Sequence, residues 1–133
     1  GQVEHELRRM GVTDILHMGI PYGHAHLDGL MNFVDKKTMI LFPWQVPYDV
    51  VKLLIDKGIK IIEVTDLEEI KKNLAINVVA LEPGKILMPA GNPNTKKIIE
   101  AAGCEVIEID LSEILKGWGA VHCMSVFLNR DPV

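Results

Sequence analysis

The sequence predicts an α/β fold built from a repeated strand–strand–helix–strand module, and three observations predict it. Short apolar runs alternate with amphipathic helical stretches, a Gly or Pro punctuates most junctions, and the second half of the chain repeats the first at a spacing of 44 to 46 positions. The composition permits such a fold. With 133 residues, 48% hydrophobic and 24% charged, a chain of this kind buries about two thirds of its unfolded surface in one core.

Residues 4–10 read as a short polar helix ending at Gly11, and residues 14–20 as a strand closed by the turn residues Pro21, Tyr22 and Gly23. A loop then delivers His24, Ala25, His26, Leu27 and Asp28. Residues 30–34 and 39–42, joined by the polar turn Asp35-Lys36-Lys37, read as a β-hairpin that Pro43 stops. Residues 46–56 place Val50, Val51, Leu54 and Ile55 on one helical face, with Gly58 where a left-handed cap is wanted. A strand over 60–64 follows. Asp66 is placed to cap a helix over 67–74, with Glu69 three residues on as in a capping box.

The same order then returns: strands at 78–81 and 86–88, a helix over 93–102, Gly103, a strand at 105–109 and a short helix from Asp110. Residues align as well as elements. Ile40-Leu41-Phe42-Pro43 matches Ile86-Leu87-Met88-Pro89, Ile61-Ile62-Glu63-Val64 matches Val106-Ile107-Glu108-Ile109, and Asp66-Leu67 matches Asp110-Leu111. A third copy is expected to start with a strand over 123–128 and a turn over 129–132. The reading is one structural unit over 1–133, with two complete modules at about 31–75 and 76–117 flanked by partial ones. A ring of such modules is left open.

Composition also excludes several functions. Fourteen Lys and Arg against eighteen Asp and Glu leave a formal charge of −4, which argues against a nucleic-acid partner. No apolar run approaches the roughly 20 residues of a bilayer span, so no membrane segment is expected. Two cysteines, Cys104 and Cys123, are too few for a disulfide-stapled domain, and no basic-then-apolar leader precedes them. The chain reads as cytoplasmic, with free thiols.

The repeat carries the first chemical inference. His26, Asn77 and Cys123 fall at comparable places, the strand starts of successive copies, and copies related by rotation turn those starts toward a common axis. A thiol and an imidazole brought together this way are a nucleophile and its base. Cys104 is the internal control: its counterpart is Ile59, so its environment calls for an apolar side chain and its role reads as structural. Cys123 instead follows Gly117, Trp118, Gly119, Ala120 and Val121, whose glycines let backbone approach a ligand closely. Asp28, two residues after His26, is expected on the same side of an extended chain, unless it serves merely as a turn residue before Gly29. His5 and His17 read as surface side chains. The His24-x-His26 pair is open to another reading, a zinc site completed by Asp28 or Cys123, although no second tight ligand pair accompanies it.

His26-Leu27-Asp28, Phe33-Val34-Asp35, His122-Cys123-Met124-Ser125 and Asn129-Arg130-Asp131-Pro132 together resemble the C-terminal half of the guanidine-modifying superfamily, the arginine deiminases above all, over about residues 20–133. Arginine deiminases carry an H-L-D motif and end in G-x-G-G-x-H-C-M-[ST] with R-D-P downstream. The resemblance implies a partial pentein-type propeller of five ββαβ modules, with Cys123 as nucleophile, His26 as general acid/base and Asp28 as a carboxylate for the substrate guanidinium. No cofactor and no metal are expected. The expected reaction is cysteine-dependent hydrolysis of a guanidino C–N bond on arginine or a related small molecule, through a covalent thiol adduct, with amidino transfer if an amine replaces water. Two departures stand out. An E-G-[GD]-D type motif, which supplies further substrate carboxylates in the family, does not occur in these residues, and Trp118 stands where arginine deiminases place an Arg five residues before the nucleophile. The expected site is therefore incomplete, as for a fragment missing its N-terminal half, and self-association would cover the open sheet edge. A metal-dependent hydrolase built on His24 and His26, and a non-catalytic fragment, are the alternatives.

Overall fold

In the computed structural model, which describes residues 1–24 and 26–129, two three-stranded sheets repeat one topology. In the first, β1 (Met31–Asp35) pairs antiparallel with β2 (Thr38–Leu41), and β2 pairs parallel with β3 (Lys60–Glu63). In the second, β4 (Val79–Glu82) pairs antiparallel with β5 (Lys85–Pro89), and β5 pairs parallel with β6 (Glu105–Ile109). A parallel pair needs a crossover. Helix α2 (Tyr48–Asp56) supplies it between β2 and β3, and helix α4 (Pro93–Ala101) between β5 and β6. The register keeps the repeat in step, since Ile40 faces Ile62 and Ile86 faces Val106. Ile40 and Ile86 are both fully buried.

The helix ends follow the expected chemistry. Gly58 and Gly103 lie just beyond α2 and α4 with φ of +77° and +97°, left-handed values at which a Cβ would be strained. Asp66 caps α3 (Leu67–Asn73), accepting from the Glu69 backbone N–H at 3.1 Å. That bond, with a second from the Asn94 side chain at 2.7 Å, holds the Asp66 carboxyl below the usual carboxylate range.

Glu69 does not close the capping box. Its carboxylate reaches forward into the next module instead, accepting from the backbone N–H of Asn94 and of Thr95, each at 2.8 Å, and from Thr95 Oγ1 at 2.7 Å. A buried carboxylate thus satisfies the otherwise orphaned donors at the start of α4. Asn32 makes a second tie between modules, its Nδ2 donating to Val78 O at 2.8 Å.

Two expected strands are absent. Residues 14–20 are irregular, with Asp14 tied to Lys57 at 2.9 Å, and residues 121–124 form a turn that runs into irregular chain. Neither segment joins a sheet ladder among the described residues, and a strand exists only as part of one. Of the turn expected over 129–132, only Asn129 lies within the described residues. The N-terminal helix α1 (Gln2–Arg9) has no buried residue and is laced by Glu4–Arg8 and Glu6–Arg9 pairs. The last helix, α5 (Ser112–Leu115), follows Asp110, whose carboxylate accepts from Ser112 N at 2.9 Å. No helix among the described residues is long and apolar enough to cross a membrane.

Cys104 is buried in the main core, as the repeat requires of the position matching Ile59. Burial first, and then the Asp35 carboxylate, push its thiol above the ordinary range.

Candidate active site

Cys123 sits in the turn over 121–124, and the turn is built from the residues around it. Ala120 and Val121 are buried against Val79 and Leu111, which anchors its start. Met124 N then donates to Ala120 O at 3.2 Å, Ser125 N to His122 O at 3.1 Å, and Ser125 Oγ to Val121 O at 2.6 Å. The thiol is left exposed. The approach to the turn departs from expectation: the left-handed residue is Trp118, at φ +60°, rather than either flanking glycine. A bulky side chain in that conformation costs about 1–2 kcal/mol, set against a backbone bond from Trp118 N to Leu115 O at 3.0 Å.

His26 is extended, and the chain then enters a 3₁₀ turn over Leu27–Gly29. The expected extended His26-Leu27-Asp28 segment is therefore bent. The bend still turns both polar groups the same way, because the turn swings the exposed Leu27 outward and leaves the Asp28 side chain only 15% exposed. His24 lines the same cavity but stands outside the close cluster, its Nδ1 close over Gly29 and its ring 6.5 Å from that of Phe42.

The three residues singled out from the sequence meet. One ligand atom from each of His26, Asp28 and Cys123 lies within 4.8 Å of the others. Cys123 Sγ donates to Asp28 Oδ2 at 3.2 Å, and His122 Nδ1 lies 3.0 Å from the same oxygen. Asn77, 1% exposed, donates from Nδ2 to Sγ at 3.1 Å and accepts at Oδ1 from His122 N at 2.9 Å and Cys123 N at 3.4 Å. The contact of His122 with Asp28 was not foreseen; its only signal in the sequence is adjacency to Cys123. Around this cluster lies an open cavity of about 760 Å³, walled by Ile20, Tyr22, Ile70, Leu74 and Trp118, with Lys71 on the rim.

A thiol, an imidazole and a carboxylate in one open cavity can bind a cation, attack it and move its protons. The same three donors are also chemically suited to a zinc ion, but His24 is not among them, so the sequence's His24-x-His26 pair is not a ready ligand pair. The two thiols should differ sharply in reactivity. With the native protein and a modest excess of iodoacetamide, Cys123 should label at least about tenfold faster than Cys104, as read by peptide mass spectrometry; equal labelling would show that the exposure difference is not real.

Comparison with known proteins supplies an independent view. The family model described as arginine deiminase matches residues 46–130. A 2-nitroimidazole nitrohydrolase from Mycobacterium sp. (strain JS330) is 36% identical over 109 residues, covering 81% of this chain and 28% of the relative. The amidinotransferase SxtG from Microseira wollei superposes with a TM-score of 0.79 at 17% identity, over 98% of this chain and 41% of that one, and so shares its fold. The N-terminal domain of the cyanobacterial arginine dihydrolase ArgZ, solved covalently bound to a reaction intermediate, gives a TM-score of 0.62 at 27% identity, over 74% of this chain and 36% of its own. The repeated modules are thus part of the α/β propeller of guanidine-modifying enzymes. The chain spans less than half the length of each of these proteins.

Proposed function

The chain belongs to the arginine deiminase family, and from that premise we propose that it carries the nucleophile, the acid/base and one substrate carboxylate of a cysteine-dependent hydrolase acting on the C–N bond of a small guanidino compound. The observation that carries this reading is the meeting of Cys123, His26 and Asp28 at the mouth of a cavity.

Each group has a task suited to its place. A guanidinium is planar and resonance-stabilised, so its central carbon resists attack until it is aligned and polarised. Asp28, already accepting from Cys123 and in contact with His122, takes the substrate N–H groups in charge-assisted bonds. The incoming cation offsets the repulsion a thiolate would feel beside that carboxylate. The thiol proton passes to His26, the sulfur lone pair forms a C–S bond, and the C=N electron pair moves onto nitrogen. Collapse breaks a C–N bond, and His26 gives its proton to the departing amine. His26 then takes a proton from water, the resulting hydroxide adds to the same carbon, and the sulfur leaves as the ureido product forms. An amine in place of that water gives amidino transfer.

One observation favours a second substrate type for the same residues. Trp118 stands where an arginine deiminase carries Arg, and together with Tyr22 it gives the cavity aromatic walls. The nitrohydrolase relative is named for 2-nitroimidazole, whose C2 lies between two ring nitrogens and is electronically an amidine carbon. A flat ring fits such walls. Incubating the intact protein with arginine, agmatine, methylated arginines and 2-nitroimidazole decides between the two: ureido product supports the first reading, nitrite release the second, and turnover of none of them counts against both. Further modules, from the same polypeptide or a second copy, would supply the remaining carboxylates and cover exposed apolar residues such as Val126 and Leu128. With both cysteines free, a reducing cytoplasm is the fitting compartment.

A further inference from the structure

The modules are tied by an asparagine at a fixed interval. Asn32 in β1 bonds Val78, 46 positions on, and Asn77 just before β4 bonds Cys123, also 46 positions on. In the first tie the amide donates to a carbonyl and closes one module against the next. In the second, from a different position in the repeat, the amide reaches the nucleophile.

We propose that Asn77 is a positioning residue for Cys123, whose amide both fixes the turn and favours the thiolate; this rests on the reading of Cys123 as nucleophile. The orientation of the amide is forced. Backbone N–H groups only donate, so the atom facing His122 N at 2.9 Å and Cys123 N at 3.4 Å must be Oδ1. The other branch, Nδ2, is then left against Sγ at 3.1 Å. Burial strengthens these three bonds, since Asn77 is 1% exposed. The need for such a donor is visible in the site. Sγ also touches the Asp28 carboxylate, which accepts a proton from a thiol and repels a thiolate. An N–H aimed at sulfur has the opposite preference, bonding the anion more strongly than the thiol. Binding substrate at Asp28 and donating from Asn77 therefore act on the same sulfur from two sides.

Asn77→Asp separates the two duties, because a carboxylate still accepts from the two backbone N–H groups but presents oxygen rather than N–H to sulfur. The test is the pH dependence of iodoacetamide labelling at Cys123 in the intact protein, read on the Cys123 peptide, with circular dichroism to confirm the fold. In Asn77→Asp and Asn77→Ala the pH of half-maximal labelling should rise by at least about one unit, whereas Asn32→Ala, which breaks a different tie between modules away from the thiol, should leave it in place. A folded Asn77→Asp protein with the unsubstituted labelling profile, or an equal shift in Asn32→Ala, overturns the proposal. Should neither Asn77 variant fold, the unsubstituted protein decides: the Asn77 side-chain amide signal in NMR should titrate with the thiol, and a flat signal across that range overturns it. Labelling requires no substrate, so its outcome stands apart from whether any guanidino compound is turned over.

Discussion

Replacing Cys123 by Ala should lower turnover of the substrate by at least about 10⁴-fold in the intact protein, with its fold retained. The size of the effect follows from losing the atom that forms the covalent bond, for which no neighbouring group can substitute. The fold survives because the truncated side chain is exposed and leaves no cavity, the loss being the bond that Asn77 Nδ2 gives Sγ. His26→Ala should behave differently. It removes the proton carrier of both half-reactions but leaves the nucleophile, so any adduct that forms should persist. Steady-state assays of the two variants beside a single-turnover measurement check this, and undiminished activity of Cys123→Ala would remove the thiol from the mechanism.

Glu69→Ala should destabilise the protein by about 3 kcal/mol, measured by urea denaturation at neutral pH. Its carboxylate accepts three bonds at the start of α4, and Thr95, which provides two of the donors, is fully buried. Truncation leaves the two buried Thr95 donors without partners, at a cost of about 1–3 kcal/mol each before the structure relaxes, while Asn94 N can turn to solvent. Glu69→Gln should cost less, because one oxygen still accepts while its new amide hydrogens face donors. A loss below about 0.5 kcal/mol for Glu69→Ala would mean that the tie between modules is dispensable.

The repeat is the feature of the sequence from which most of the fold could be read. Ile40 and Ile86 stand at equivalent places in equivalent sheets, and the strand Glu105–Ile109 falls where its apolar pattern puts it. Local patterning suffices there because each element finds its partner within its own module. It fails at the two ends. Residues 14–20 and 123–128 have strand-like sequences but join no ladder among the described residues, and a strand exists only as part of a ladder.

The site was legible in part for the same reason. Rotational kinship of the copies placed His26 and Cys123 together, and Cys104 was separated from Cys123 by its counterpart Ile59. What escaped was the use of groups across module boundaries. Glu69 has the spacing of a capping-box residue, yet it serves the next helix, and His122 reaches Asp28 across 94 positions. Trp118 carries the left-handed turn although glycines flank it on both sides. Spacing along the chain is silent on such contacts, because they depend on how one module leans on another.

The central claim is that Cys123 forms a bond to substrate carbon with His26 and Asp28 in attendance. The direct measurement is the mass of the Cys123 peptide from intact His26→Ala protein quenched in acid during exposure to a substrate that the unsubstituted protein turns over. The account predicts an added amidino-type group on that peptide and none on the Cys104 peptide. Turnover by the unsubstituted enzyme with no adduct ever recovered at Cys123, in it or in the variant, would contradict it.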